Sequence, residues 1–159
     1  MNNQALDAFD THILQALQND GRLSMVDLGE RVGLSASPCL RRVRRLEEEG
    51  VIQGYHARLD RTRLGLPLTI FMEIKVDGHR DENARLLQQT VLSLPEVVAC
   101  HIVSGTPDFL LEVVVPDLAH YEHLIFDTFL EMPMIKDIQS NFSIRTVKTG
   151  GLLPIGGEE

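Results

Sequence analysis

Apolar positions recur at helical spacing three times within the first fifty residues, and mostly at strand spacing afterwards. Ile13, Leu14 and Leu17 lie on one face with Phe9 nearby, which predicts a helix beginning at Asp10 and ending at Asp20 and Gly21. Ser24 stands three residues before Asp27, a variant of the capping box, and Val26, Leu28 and Val32 follow before Gly33, predicting a short second helix. Across residues 35–50, written SASPCLRRVRRLEEEG, Leu40, Val43 and Leu46 fall in one arc at roughly 100° per residue, joined by Ala36 and Cys39. Ser37 is placed to accept from an orphan backbone N–H, Pro38 suits the first helical position and Gly50 the stop. The short turn from Gly33 into this third helix has helix-turn-helix spacing. Residues 51–60 then read as strand, bend and strand around Gly54, a wing. Residues 1–60 are thus expected to form a winged helix-turn-helix unit.

Residues 61–67, RTRLGLP, lack periodicity and predict a linker. Beyond them the chain predicts a strand over 68–76, a helix over 81–94 stopped by Pro95, strands over 97–103 and 109–115 joined through SGTPD, a helix over 118–131 capped by Asp117, and a last strand over 138–147. The order βαββαβ is the ferredoxin-like arrangement, here over residues 68–149, with a tail over 150–159. The fold class is therefore α+β. Two helices cover only one face of such a sheet, and strands as apolar as FLLEVVV predict dimerisation through the other.

Chemistry enters through the third helix. Arg41, Arg42, Arg44 and Arg45 occupy the arc opposite its apolar stripe, four arginines in five positions. Arginine pairs and exposed helix starts grip phosphates and read guanine edges in a major groove, so double-stranded DNA is the expected partner. Ser35, Ser37 and Pro38 at the helix start and Arg58 on the wing complete the expected DNA-contacting set. Glu47, Glu48 and Glu49 close the helix, with Glu48 and Glu49 four residues after Arg44 and Arg45; the N-terminal part is expected to enter the groove.

Taken whole, the net charge of −8 argues against nucleic acid, but its distribution removes the objection. Residues 1–63 hold 9 Lys+Arg and 9 Asp+Glu, whereas residues 64–159 hold 6 and 14. A neutral first part and a second part of −8 fit a DNA-contacting unit joined to one with other business. An apolar fraction of 43% and a charged fraction of 24% are those of a globular protein. No apolar run reaches the roughly 18 residues of a membrane span, and the polar N-terminus is no signal peptide, so a cytoplasmic location without membrane association is expected.

Cys39 and Cys100 stand alone, outside any CxxC pattern. His120 and His123 are three apart on the second predicted helix of the C-terminal part, a metal-ligating spacing with no further ligand nearby. His101 and Glu112 fall opposite each other if the hairpin turns about Thr106 and Pro107, and read as a cross-strand polar pair. With no clustered nucleophile, phosphate loop or metal set, the expectation is a binding protein with no catalytic residues, metal or cofactor.

Three segments, DTHILQALQNDGRLS, LGERVGLSASPCLRRVRRLEEEGVIQGYHARLD and VSGTPDFLLEVVVPDLAHYEHL, resemble the Lrp/AsnC family of bacterial and archaeal transcription regulators, over nearly the full length. The resemblance implies a winged helix-turn-helix joined to a ferredoxin-like effector domain that dimerises and commonly assembles into an octamer. It implies an amino-acid effector held near the hairpin loop at contacts between dimers. By position, Ser104, Gly105, Thr106, Asp108 and Phe109 are the implied effector-binding residues, with Gln139 and Ser140 of the last strand contributed by a neighbouring subunit. Gly105 allows close backbone approach, and Asp108 suits an ammonium. Pro107 departs from the family's loop, where an acidic or aromatic residue is common. The resemblance implies sequence-specific regulation whose oligomer or DNA affinity responds to the effector; the alternative is an architectural protein that wraps DNA with little sequence preference.

Overall fold

The computed structural model describes residues 5–77 and 81–156. Residues 78–80, between the expected first strand and helix of the C-terminal part, and residues 157–159 of the tail lie outside the described residues. The chain forms two units: residues 1–57 with 148–159, and residues 58–147.

The first unit holds α1 (Ala8–Asn19), α2 (Met25–Val32) and α3 (Ala36–Glu48). Helix α1 starts two residues earlier than its apolar pattern indicates, because Asp7 and Asp10 form a reciprocal capping box. Ser24 caps α2 by accepting from Asp27 N–H, and Gly33 at φ 73° ends it in the left-handed conformation. The turn into α3 is tight at Gly29, where an added Cβ would lie 2.6 Å from the Leu34 carbonyl oxygen. Ile13, Leu14, Leu28, Val32, Cys39, Val43 and Leu46 make the buried core, each at the spacing that its helix predicts. Burial raises the Cys39 thiol pKa.

Two local expectations need correction. Helix α3 is capped by Ser35, without a side-chain bond, so Pro38 is its third residue; its missing N–H is still among the orphans there, and the helix tolerates it. Residues 51–60 form no strand. Ile52 packs on the helical core, while the Tyr55 ring lies over Gly21 and its hydroxyl donates to Glu47 Oε1 at 3.0 Å. The segment is anchored side chain by side chain to helices, which removes the need for a two-stranded ladder that is marginal alone. Burial, with Glu47 beside it, pushes the Tyr55 pKa up to about 12.

The second unit contains β1 (Leu68–Val76), α4 (Asp81–Ser93), β2 (Val97–Ile102), β3 (Phe109–Val115), α5 (Leu118–Leu124) and β4 (Ile135–Phe142). The sheet order β2-β3-β1-β4 is antiparallel throughout, the ferredoxin-like order expected. Ile70, Met72 and Ile74 of β1 and Phe109, Leu111, Val113 and Val115 of β3 bury one face against Leu87 and Val91 of α4 and Tyr121 and Leu124 of α5. The opposite face carries Phe71, 40% exposed, with Glu73, Lys75, Leu110 and Glu112.

The helix expected over 118–131 changes form midway. After Leu124 it continues as a π turn, Ile125–Phe129, which keeps Phe129 wholly buried before Pro133. The last strand begins at Ile135 and ends at Phe142 rather than spanning 138–147. Residues 61–67 fold into turns closed by Leu66 N–H on the Arg61 carbonyl at 2.8 Å.

Candidate DNA interface and effector site

The four arginines of α3 separate into two pairs. Arg42 donates to Asp7 Oδ2 at 2.7 Å and to Asp10 Oδ1 at 2.8 Å, and its guanidinium lies 5.4 Å from the Phe9 ring centroid. Arg45 donates to Asp10 Oδ2 at 2.5 Å, and its Nε lies 3.9 Å from Glu49 Oε2. Asp10 is 1% exposed, so one buried carboxylate of α1 takes a guanidinium on each oxygen. Hydrogen bonds from the Asp10 backbone and the Arg42 guanidinium hold the Asp7 carboxyl below its usual pKa, and hydrogen bonds to the Asp7 and Asp10 carboxylates raise that of Arg42. Arg41 and Arg44 are exposed, with neither carboxylate near them. Ser35 and Ser37 at the helix start are also exposed, and Pro38 is half-buried. Arg58 is the first residue of the second unit.

The arrangement follows from α3 having two flanks. Relative to the stripe of Cys39, Val43 and Leu46, Arg42 and Arg45 lie on one side and Arg41 and Arg44 on the other. The first side meets the capped start of α1. Sequence reading missed Asp7 and Asp10 as partners of these arginines because they act 32 to 35 positions away; the signal present was an aspartate on the apolar side of its helix.

In the second unit, residues 104–108 form the β2–β3 loop, pinned at both ends. Val103 N–H donates to the Asp108 carbonyl at 3.1 Å, and Asp108 N–H to the Ile74 carbonyl at 2.9 Å. Asp108 Oδ2 accepts from Val76 N–H at 2.9 Å, and Lys75 Nζ donates to the Thr106 carbonyl at 2.8 Å. Gly105 has φ 137°, and space is open where a Cβ would stand. Ser104, Gly105 and Thr106 are exposed. Phe109 points the other way, 2% exposed in the core. Gln139 pairs in register with Glu73 on the open face, whereas Ser140 lies on the helix face and accepts the Tyr121 hydroxyl at 2.6 Å. The loop residues therefore stand together, while Phe109 and Ser140 turn their side chains to the other side of the sheet. Lys75 was missed; alternation along LTIFMEIKV places it on the open face with Phe71 and Glu73.

The polar pairs considered from sequence are resolved otherwise. The register sets His101 opposite Leu110 and Glu112 opposite Ala99, so the two are not cross-strand partners. The hairpin centres on Gly105 and Thr106, one residue before the expected turn, and Glu112 instead accepts from Arg61 at 2.7 Å. His120 Nδ1 lies 2.8 Å from Asp117 Oδ1, and His123 Nδ1 lies 3.6 Å from Asp127 Oδ2, each within its own helical segment.

A three-helix unit of helix-turn-helix form, with exposed arginines on its third helix, together with a ferredoxin-like unit, defines a two-part DNA-binding regulator. Residues 6–53 match the family model for winged helix-turn-helix DNA-binding, and residues 69–153 that for the Lrp/AsnC ligand binding domain. The chain belongs to the Lrp/AsnC family of transcriptional regulators. It is 42% identical over 150 residues to the leucine-responsive regulatory protein of Escherichia coli, covering 94% of this chain and 92% of that one. It is 40% identical over 150 residues to the Bkd operon transcriptional regulator of Pseudomonas aeruginosa, covering 94% and 98%. Among solved structures, a transcriptional regulator of Neisseria meningitidis in complex with L-Met superposes with a TM-score of 0.89 at 36% identity, covering 94% of this chain and 97% of that one. Among the described residues, no helix is long and apolar enough to cross a membrane.

Proposed function

We propose that this chain is a sequence-specific transcriptional regulator whose DNA affinity or assembly responds to an amino acid, acting in the cytoplasm without enzymatic activity. The observation that carries the DNA part is the division of α3: Asp7 and Asp10 engage Arg42 and Arg45, while Arg41 and Arg44 remain exposed beside Ser35 and Ser37. In this reading Arg41 and Arg44 contact DNA, the exposed helix start meets phosphate, and Arg42 and Arg45 are positioning residues that orient α3 against α1.

The effector part rests on the β2–β3 loop. Asp108 uses Oδ2 to hold β1, and its Oδ1 has no partner among the described residues, which suits an ammonium. Open space at Gly105 suits close approach of a ligand to backbone. The L-Met complex of the Neisseria relative supports an amino acid as the class of ligand. Gln139 joins the site from the open face of a neighbouring subunit. Exposed Phe71 on that face supports a homodimer, and assembly of dimers into an octamer completes the reading.

The test is a thermal-shift panel of the common amino acids on the full chain. At a ligand concentration of about 100 times Kd, binding stabilises by about 2.7 kcal/mol, a rise of several degrees. Gly105→Val and Asp108→Ala are expected to abolish that rise while DNA binding by the full chain persists. A rise in both variants equal to the parent's would place the pocket elsewhere. A small ratio of specific to non-specific DNA affinity at fixed salt would favour the architectural alternative.

A further inference from the structure

The C-terminal segment GGLLPIGGEE is used by neither the DNA interface nor the effector loop. Residues 148–156 nevertheless belong to the first unit, more than ninety positions along the chain from α3. Gln18 of α1 treats Leu153 as a neighbouring strand would. Its Oε1 accepts from Leu153 N–H at 2.6 Å, and its Nε2 donates to the Leu153 carbonyl at 3.3 Å. One turn earlier, Gln15 Nε2 donates to the Ile155 carbonyl at 2.9 Å, and the Ile155 side chain packs on the helical core. At Gly156, φ 68°, an added Cβ would lie 2.6 Å from Thr11 Cγ2 and 3.0 Å from Gln15 Nε2.

Thr11, Gln15 and Gln18 are spaced i, i+4, i+7 and so form one stripe on α1. From Thr11 to Gln18 the helix rises about 10 Å, and three extended residue steps cover about the same length, so the tail runs antiparallel to α1 with a partner at each station. Two glutamines reading a backbone, one aliphatic side chain entering a core and one position closed to anything but glycine are the elements of peptide recognition: polar groups fix register and a pocket selects the side chain. We propose that α1 carries a peptide-binding strip, Thr11–Gln15–Gln18 with the edge of the helical core, whose ligand is the chain's own C-terminal sequence Leu-Pro-Ile-Gly at residues 153–156. The tail is a latch. It seats beside Thr11, one position from the aspartate that holds Arg42 and Arg45, and it builds the DNA-binding unit from both ends of the chain.

Hydrogen exchange on the full chain tests the strip. The Leu153 amide is expected to exchange at least tenfold more slowly than in an unstructured peptide, and Gln18→Ala is expected to remove that protection while the α1 amides keep theirs. A Leu153 amide that exchanges freely in the unmodified chain, or is equally protected in Gln18→Ala, overturns the proposal. A second measurement uses Gly156→Val, which vacates the strip. A labelled peptide of sequence GGLLPIG should bind this variant at least tenfold more tightly than the unmodified chain, where the strip is occupied. Equal binding to the two chains, or binding to neither, contradicts it.

Discussion

Replacing Asp10 with alanine is expected to destabilise the DNA-binding unit by about 2–4 kcal/mol, read as a lower urea midpoint at unchanged slope. The carboxylate is 1% exposed and takes three hydrogen bonds, from Arg42, from Arg45 and from Asp7 N–H. Its loss removes half of the capping box and leaves two guanidinium groups facing an apolar boundary. The expected cost lies below that of breaking a wholly buried pair because Arg42 and Arg45 are 24% and 30% exposed and turn partly to water. Arg42→Ala with Arg45→Ala should also destabilise, since Asp10 is then buried without a guanidinium. Replacing all three by apolar residues, Asp10→Leu, Arg42→Met and Arg45→Met, should recover most of the loss. An Asp10→Ala chain that unfolds like the parent would show that the cluster does not fix α3.

Arg41→Ala and Arg44→Ala should behave in the opposite way. Each is expected to leave the unfolding midpoint within about 0.5 kcal/mol of the parent, because neither side chain is held by the carboxylate cluster. Each should weaken operator binding by about 1–3 kcal/mol where it reads a base, with relaxed preference at that base pair. A residue that grips phosphate instead lowers affinity uniformly and reduces the salt slope by about one. If Arg41→Ala and Arg44→Ala both bind operator like the parent, the assignment of the groove-facing side fails.

The contrast between these pairs marks what the sequence made legible. Periodicity identified the stripe of Cys39, Val43 and Leu46 and put four arginines away from it. It is symmetrical about that stripe, so it does not distinguish the flank meeting α1 from the flank meeting solvent. That distinction depends on Asp7 and Asp10, whose role is set by tertiary contact. The ferredoxin-like order was legible because apolar runs bounded by turn residues marked the strands, and because Asp117 caps α5 by accepting from His120 N–H.

Register was less legible. The hairpin turns one residue earlier than expected, which sets His101 opposite Leu110 rather than Glu112, and no composition signal marks that shift. The strands expected over residues 51–60 gave way to Ile52 and Tyr55 docking on helices, a choice that pairwise turn signals do not encode. At the β2–β3 loop, the sequence brought Ser104 to Asp108 together. The alternation that turns Phe109 inward and Lys75 outward was present in the chain but follows only once the register is known.

Coupling of an effector to a DNA grip within one chain is tested most directly by operator affinity with and without ligand. Titrations of the full chain at one salt concentration, repeated with a saturating amount of each amino acid that raises its melting temperature, give the coupling factor. At least one amino acid is expected to change operator affinity by about 5- to 150-fold, or to change the assembly that binds, and operator DNA is expected to change the affinity for that amino acid by the same factor. Affinity and assembly unchanged by every amino acid that binds would contradict it.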